Sequence, residues 1–322
     1  MTASAVQWGL IGSSGLAAKT CAPSIAQATG AELAAVLGSD ANRARQIAAQ
    51  YGAGTGTANI DDFIATPGLA AVWVASPTYL HYEHCSALLR AGKHVLLEKP
   101  LAMSAAEGWK LVEQARTAGL VLGVGYQARY VTGHIEMRRL IADGAVGDVS
   151  VARTYYGVHR PGPPPEWRQK LAKARWGAFA DIGTHHIDLL RMMLGEIVEA
   201  AGFSGHKLGF ETEDAGTAAL RLESGALATV TASVNVWKPH TRVEIHGTAG
   251  ALIAEDTSPR GGGTVVLMRD GADPEDISGV QPADPWVLQV EAITQATGGG
   301  DVEYASGEDG ARNLDVLEQI LP

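Results

Sequence analysis

The chain has 322 residues, of which 46% are hydrophobic and 19% charged, and its formal net charge is −10. This length exceeds a single ordinary core, and the composition is that of a globular protein of two domains. The acidic balance disfavours nucleic-acid and anionic-membrane partners, and two cysteines are too few for a disulfide framework. We find no apolar run of membrane-spanning length and expect no export signal, so we predict a cytoplasmic protein.

The first 125 residues alternate between short apolar runs and helical patterns. Apolar runs of four to six residues separated by helices are typical of a parallel, doubly wound sheet. The predicted strands are 6–11, 33–37, 71–75, 94–97 and 120–123, and the predicted helices end near 28, 51, 90 and 117. We predict that residues 1–125 form one domain.

The pattern changes after residue 126, where strand-like runs dominate between about 198 and 268. No long helix interrupts these runs, which favours a large, mainly antiparallel sheet. Residues 161–165 are rich in proline and predict a loop. The remaining predicted elements are a strand at 149–157 and helices at about 133–142, 187–194, 285–297 and 308–321. The second predicted domain is 126–322, and the fold class is α/β.

The first predicted strand ends in Gly12-Ser13-Ser14-Gly15-Leu16-Ala17. A strand–turn–helix that binds a dinucleotide needs small residues where the backbone approaches the pyrophosphate, with the spacing G-x-G-x-x-G/A. Ser14 replaces the second glycine, but its hydroxyl can reach a phosphate. The motif predicts a Rossmann domain that binds NAD or NADP; a purely structural turn is the alternative.

The end of the second predicted strand bears on the choice between NAD and NADP. NAD sites usually carry an acid there for the ribose 2′-hydroxyl, but this chain has Gly38. Ser39 and Arg43 could bind a 2′-phosphate, which favours NADP(H). Asp40 is the counter-argument, because a small shift would bring its carboxylate to the ribose.

Three further strings are Val74-Ala75-Ser76-Pro77-Thr78-Tyr79-Leu80-His81, Ala91-Gly92-Lys93-His94-Val95-Leu96-Leu97-Glu98-Lys99-Pro100-Leu101-Ala102 and Asp181-Ile182-Gly183-Thr184-His185-His186-Ile187-Asp188. In this order and spacing they resemble the glucose-fructose oxidoreductase, inositol dehydrogenase and rhizopine catabolism (Gfo/Idh/MocA) family over essentially the whole chain. The resemblance is strongest to its 1,5-anhydrofructose reductase branch.

The resemblance implies hydride transfer on a sugar, keto-sugar or polyol, and a homodimer or homotetramer formed through the C-terminal sheet. It matches Lys99, Asp181 and His185 to the family's catalytic residues. It assigns cofactor contacts to Gly12, Ser13, Ser14, Gly15, Leu16, Gly38, Ser39, Arg43, Ser76, Pro77, His81, Glu98, Lys99, Gly125, Trp167 and Arg168.

The chemistry of three side chains agrees with these roles. His185 can exchange a proton near neutral pH, and Lys99 can donate to the substrate oxygen and stabilise its negative charge. Asp181 precedes His185 by four residues, so it can orient the imidazole or bind a substrate hydroxyl. Sugars bind through hydrogen bonds and aromatic faces, so the predicted substrate residues also include Tyr126, Arg129, Tyr156 and Trp286.

Alternatives concern a metal site, the kind of function and the direction of the reaction. His185 and His186 point about 100° apart on a helix, so we predict no metal site, and Asp188 is expected to serve packing. A non-catalytic sugar or dinucleotide sensor on the same fold is the rival function, and oxidation competes with reduction. Many family members have three glycines where this chain has Ala174-Arg175-Trp176-Gly177; the added charge would favour an acidic or aromatic substrate group.

Overall fold

The computed structural model describes residues 5–160 and 162–321. The chain divides into two compact units. The first comprises Met1–Gly125 and Trp286–Ala311, and the second comprises Tyr126–Pro285 and Arg312–Pro322.

The first unit contains the predicted parallel sheet. Its six strands are β1 (Val6–Ile11), β2 (Ala31–Leu37), β3 (Thr55–Thr57), β4 (Leu69–Val74), β5 (His94–Leu97) and β6 (Leu122–Val124). All neighbours pair in parallel, in the order β3-β2-β1-β4-β5-β6. The doubly wound sheet is therefore confirmed, and β3 is a short edge strand that the sequence pattern did not predict.

Helices follow the strands of this sheet. They are α1 (Ala22–Gln27), α2 (Ala41–Gln50), α3 (Ile60–Ile64), α4 (His81–Arg90) and α5 (Ala105–Ala118). A wider π-helical turn, Ala17–Cys21, leads into α1. Ser104 caps α5, because its hydroxyl accepts from the Glu107 amide.

The second unit is built on an eight-stranded sheet covered by helices. The strands are β7 (Val149–His159), β8 (Ile197–Gly205), β9 (Ala215–Leu222), β10 (Leu227–Ser233), β11 (Asn235–Gly247), β12 (Gly250–Glu255), β13 (Thr264–Arg269) and β14 (Glu275–Asp276). Their order is β14-β13-β12-β11-β7-β10-β9-β8, and every pair is antiparallel except β7 with β10. The mainly antiparallel sheet is confirmed.

Three helices accompany this sheet in chain order: α6 (Thr132–Ala142), α7 (Leu171–Ala174) and α8 (Thr184–Leu194). Another π-helical turn, Phe179–Gly183, precedes α8. A Cβ at Gly183 would lie 3.1 Å from the Cβ of Ala232 on β10, so a glycine lets this turn approach the sheet. Pro161, at the start of the predicted loop, lies outside the described residues; residues 162–165 form neither helix nor strand.

Two last helices, α9 (Pro285–Thr297) and α10 (Gly307–Ile320), close the chain. Helix α9 packs into the core of the first unit, and the Trp8 indole donates to Thr294 Oγ1 at 3.0 Å. The prediction placed residues 286–311 in the second domain, and the structure corrects this. A helix pattern specifies an apolar face but not the core that receives it. None of the helices within the described part of the chain has the length and apolarity needed to cross a bilayer.

Candidate active site

The carboxyl edge of the first unit's sheet gathers most of the predicted cofactor residues. Gly12 follows β1, Gly38 follows β2, Ser76 lies just beyond β4, Glu98 follows β5 and Gly125 follows β6. The strand order reverses direction between β1 and β4, and in open α/β sheets ligands bind at the carboxyl end beside such a reversal.

The turn after β1 has the geometry of an anion cradle. Gly12 has a φ of +131°, and a Cβ there would lie 2.7 Å from the Ala17 Cβ, so only glycine fits. Ser13 is buried, whereas Ser14, Gly15 and Leu16 are exposed. The exposed part of the turn is thus open to a phosphate, and Ser14 adds a hydroxyl. These residues fit a dinucleotide.

Gly38 is required by its neighbour. A Cβ at this position would lie 2.5 Å from the Cβ of Ser13 and would collide with its hydroxyl. The buried Ser13 therefore excludes a carboxylate from the place where NAD sites usually carry one.

Asp40, which in the sequence favours NAD, caps a helix in the structure. Its Oδ1 accepts from the amides of Asn42 and Arg43 at 2.9 and 3.2 Å, which makes it the N-cap of α2. These amide contacts hold the pKa of Asp40 below its usual value. Ser39 and Arg43 are exposed, and Arg43 Nε lies 3.7 Å from Asp40 Oδ2.

His81 sits beneath the edge rather than on it. The side chain is 1% exposed, and its two ring nitrogens contact the carbonyl oxygens of Pro100 at 2.8 Å and Ser76 at 2.9 Å. Burial lowers the pKa of His81 to about 4, although both carbonyls oppose the shift. His81 therefore connects two segments of the edge, the turn after β4 at Ser76 and the residue that follows Lys99. In place of the predicted cofactor contact, the structure shows a side chain that positions these two segments.

Glu98 is the buried acid of the same edge. Its Oε1 accepts from the Trp73 indole at 3.2 Å, and a Cβ at Gly125 would lie 2.9 Å from that oxygen. The neighbouring Lys99 is partly buried and joins Pro100 through a cis peptide bond.

In the second unit, Asp181 lies in the turn before α8 and forms ion pairs with Arg160 and Arg168. Its Oδ2 accepts from Arg160 and its Oδ1 from Arg168. The guanidinium of Arg168 also lies 5.0 Å from the ring of Trp167. The prediction gave Asp181 to His185 or to a substrate hydroxyl, and did not foresee the two arginines.

His185 lies in the first turn of α8 and is 7% exposed. Tyr126 meets it edge to face, with ring centroids 5.9 Å apart, and the Tyr126 hydroxyl lies 2.9 Å from Thr184 Oγ1. Burial raises the pKa of Tyr126, so its hydroxyl stays protonated. Tyr126 and His185, both predicted to bind substrate, therefore lie side by side within the second unit.

Arg129 is engaged elsewhere. Its Nε and one terminal nitrogen donate to the two oxygens of Asp188, each at 2.7 Å, and Asn313 also donates to Asp188. Asp188 is fully buried, and the Arg129 side chain is 10% exposed. This ion pair anchors α8, as expected for Asp188, and it corrects the prediction that Arg129 contacts substrate.

Tyr156 stacks on His186 with ring centroids 5.1 Å apart. Burial, and then the charge of Asp181, raise the pKa of Tyr156. His186 points away from solvent, and burial lowers its pKa to about 3. Among the described residues, no three His, Cys, Asp or Glu side chains are grouped to hold a metal ion.

Two tryptophan positions differ from expectation. Trp286, predicted to bind substrate, packs in the core of the first unit and is 6% exposed. Arg175 lies over the ring of Trp176 and pairs with Glu318 at 2.7 Å. Trp176 donates to the Leu321 carbonyl. Arg175 and Trp176, which stand where many family members have glycine, therefore contact the C-terminal segment, and Glu318 neutralises the charge of Arg175.

Sequence reasoning missed Arg160, Thr184 and Asn313. Arg160 is 21 residues from Asp181 and Asn313 is 125 residues from Asp188, so no spacing rule connects them. Thr184 lies inside the motif from Asp181 to Asp188, and its position directly before His185 could have marked it as a candidate.

Comparisons with known proteins agree with this architecture. Residues 6–126 match the model described as "Oxidoreductase family, NAD-binding Rossmann fold", and residues 134–253 match the "GFO/IDH/MocA C-terminal domain". The chain is 33% identical to 1,5-anhydro-D-fructose reductase of Ensifer adhaerens over 96% of this chain and 93% of that protein.

Two further relatives extend the comparison. A scyllo-inositol 2-dehydrogenase (NADP(+)) of Bacillus subtilis is 29% identical over a region that covers 68% of this chain and 60% of that protein. The crystal structure of an aldose-aldose oxidoreductase from Caulobacter crescentus superposes with a TM-score of 0.88 at 27% identity, covering 98% of this chain and 96% of that one. The chain therefore belongs to the GFO/IDH/MocA family of sugar and polyol oxidoreductases with an NAD(P)-binding Rossmann domain.

Proposed function

We propose that this protein is an NADP(H)-dependent oxidoreductase that interconverts a hydroxyl and a carbonyl on a sugar, keto-sugar or polyol. The observation that carries the proposal is the cradle at the carboxyl edge of the first unit, where Gly12 to Leu16 form the turn and Ser13 excludes an acid at position 38. The relative from Bacillus subtilis, whose name specifies NADP(+), gives separate support for this cofactor.

Different residues would bind different parts of the cofactor. The exposed turn Ser14–Leu16 would hold the pyrophosphate, and Ser39 and Arg43 would hold the 2′-phosphate. The nicotinamide supplies or accepts the hydride when it is bound. Ser76, Pro77, Glu98, Lys99, Trp167 and Arg168 are proposed as further cofactor contacts on the strength of the family resemblance.

The proton is handled by the protein. We assign its donation and removal to His185, which the Tyr126 ring and the start of α8 hold in place. Lys99 donates a hydrogen bond to the substrate oxygen and stabilises the negative charge that develops there. These roles serve oxidation and reduction equally.

The experiment compares His185→Ala with the wild-type protein. We expect kcat to fall by about two orders of magnitude or more while the Kd for NADPH stays within about twofold, because only proton transfer is removed. His206→Ala, an exposed histidine of the same unit, is the control and should keep full activity. Retained turnover in His185→Ala would overturn the assignment, and tight NADPH binding without turnover of any sugar by the wild type would favour the sensor.

We also propose, from the resemblance, that the second unit's sheet mediates self-association. Helix α8 covers the face of the sheet that carries Tyr156. Strand alternation places Val151 and Tyr155 on the opposite face. Val151, and Leu227 opposite it, are exposed apolar residues on that open face.

A further inference from the structure

Two histidines in the first turn of α4 contact the same residue of the sheet edge. His81 Nε2 lies 2.9 Å from the backbone carbonyl oxygen of Ser76, and His84 Nδ1 lies 3.0 Å from the Ser76 hydroxyl oxygen. Residues three apart on a helix lie on the same side of it, so both rings reach Ser76. His84 lies outside the sequence strings that carry the family resemblance.

Ser76 adjoins the turn after β1. The Ala75 amide donates to the Ile11 carbonyl at 2.8 Å, and a Cβ at Gly12 would lie 3.2 Å from the Ala75 carbonyl oxygen. The residue that follows Ala75 is therefore next to the cradle that is proposed to hold the pyrophosphate. Ser76 is partly exposed, so a ligand at this edge can contact it.

A serine hydroxyl rotates freely unless a partner fixes it. It has one hydrogen to donate and two lone pairs that accept. The contact with His84 Nδ1 uses one of these positions and thereby fixes the direction of the others. Burial lowers the pKa of His84, so the ring is neutral at pH 7 and adds no charge to the edge. Its contribution is the orientation of the hydroxyl.

We propose that His84 is a positioning residue for cofactor binding, which fixes the Ser76 hydroxyl so that it hydrogen-bonds to the part of the dinucleotide next to the pyrophosphate. The inference rests on the proposed function, because it needs a dinucleotide at this edge, and it adds a residue that itself touches no ligand. The 2′-phosphate is assigned to Ser39 and Arg43 after β2, so NADPH and NADH share the Ser76 contact.

The alternative is a direct contact between His84 and the cofactor. The effect of losing a direct contact adds to the effect of losing Ser76, whereas a positioning role exists only while the Ser76 hydroxyl is present. The double variant of His84→Leu and Ser76→Ala separates the two. If His84 acts through Ser76, the loss caused by His84→Leu vanishes in the Ser76→Ala background.

The experiment measures the Kd of the full chain for NADPH and for NADH by fluorescence titration, in the wild type, both single variants and the double variant. We expect His84→Leu to raise both Kd values about fivefold, and Ser76→Ala to raise them at least as much, because one neutral hydrogen bond is lost. The double variant should bind no more weakly than Ser76→Ala. His84→Asn should stay within about twofold of the wild type, because its amide lies as many bonds from Cα as Nδ1 does.

His94→Leu is the matched control. His94 is also a half-buried histidine of the first unit, but it lies at the amino end of β5, and its Nδ1 accepts from the Val121 amide at 3.0 Å. Its replacement removes a hydrogen bond far from the carboxyl edge, so both Kd values should stay unchanged. Thermal unfolding shows whether each variant is folded, and His84→Ala replaces His84→Leu if the latter is not.

Additive losses in the double variant, an effect confined to NADPH, or no rescue by His84→Asn would each overturn the positioning role. An unchanged Kd in Ser76→Ala would overturn it as well and would remove Ser76 from the proposed cofactor contacts, while dinucleotide binding itself would stand. A wild-type protein that binds neither NADPH nor NADH would contradict the proposed function, and the inference with it.

Discussion

Gly38 and Ser13 show how one buried side chain restricts the residue that can stand at a neighbouring position. The Ser13 hydroxyl occupies the space that a side chain at position 38 would need. A single change of Gly38 to an acid would therefore disturb the turn before it could serve NAD. The Oδ1 of Asp40 is engaged in capping α2.

Arg43 is the residue on which the 2′-phosphate assignment depends. Its side chain is 52% exposed and only loosely paired with Asp40, so it can turn to a ligand. Arg43→Ala should raise the KM for NADPH by about tenfold and leave the KM for NADH nearly unchanged, because NADH lacks the phosphate.

The matched control for Arg43 is on the same helix. Arg45 is exposed and donates to the Asn42 side chain at 2.5 Å, so Arg45→Ala removes an equal charge without a predicted phosphate contact. Steady-state kinetics with both cofactors decide the matter. Equal losses for NADPH and NADH in Arg43→Ala would contradict the assignment.

At the residue scale, sequence was informative where chemistry is local. Gly12, Ser14 and Gly38 follow predicted strands, and the structure places them at one sheet edge. Sequence was uninformative where a partner is distant, as for Arg129, whose pairing with Asp188 spans 59 residues. An arginine pattern alone does not distinguish a buried ion pair from a sugar contact.

Helix α8 carries the proposed proton donor and is held in the second unit by buried polar contacts. His185 lies on it next to His186, and the fully buried Asp188 ties it to Arg129 and Asn313. The prediction began this helix at residue 187, whereas it begins at Thr184 after a π-helical turn. A glycine and a threonine at its start have weak helical propensity, so the turn depends on packing against β10 rather than on local preference.

His186 makes the stability of this element sensitive to acid. The folded-state pKa of about 3 lies below the usual 6.5, so the unfolded chain binds one proton more between those values. The free energy of unfolding should therefore fall as the pH drops below about 6.5, by up to about 1.4 kcal/mol per pH unit for this group. The similarly buried His134 nearby and His81 act in the same direction.

His186→Phe tests this effect and keeps an aromatic ring against Tyr156. We expect the loss of stability between pH 7 and pH 5 to become smaller, as measured by urea unfolding at both pH values. His206→Gln, at an exposed site, should retain the wild-type dependence. An unchanged pH dependence in His186→Phe would show that His186 is not the titrating group.

At the scale of the whole molecule, the sequence predicted both sheets but not the route of the chain between the units. Gly125 marked the change of pattern, and the chain's return to the first unit through α9 was invisible in it. Trp286 illustrates the reason: an aromatic residue at the start of a helix fits a sugar pocket or a core equally well in sequence, and tertiary packing selects the core.

Self-association is a prediction at this scale. Trp237 is 88% exposed and lies with Tyr155, His240 and Arg242 along an open groove of about 560 Å³ on the second unit. If the open sheet face mediates assembly, Trp237→Glu should lower the sedimentation coefficient towards that of a monomer. Ile135→Glu, an exposed apolar site on α6, should not. A wild-type protein that already sediments as a monomer would contradict the proposal.

The most direct test of the account is a parallel fluorescence titration of the purified protein with NADPH and NADH. The account predicts saturable NADPH binding at least about tenfold tighter than NADH binding, because Ser13 leaves no room for an acid at position 38 and because Ser39 and Arg43 are proposed to bind the 2′-phosphate. Equal or tighter binding of NADH, or no binding of either, would contradict it.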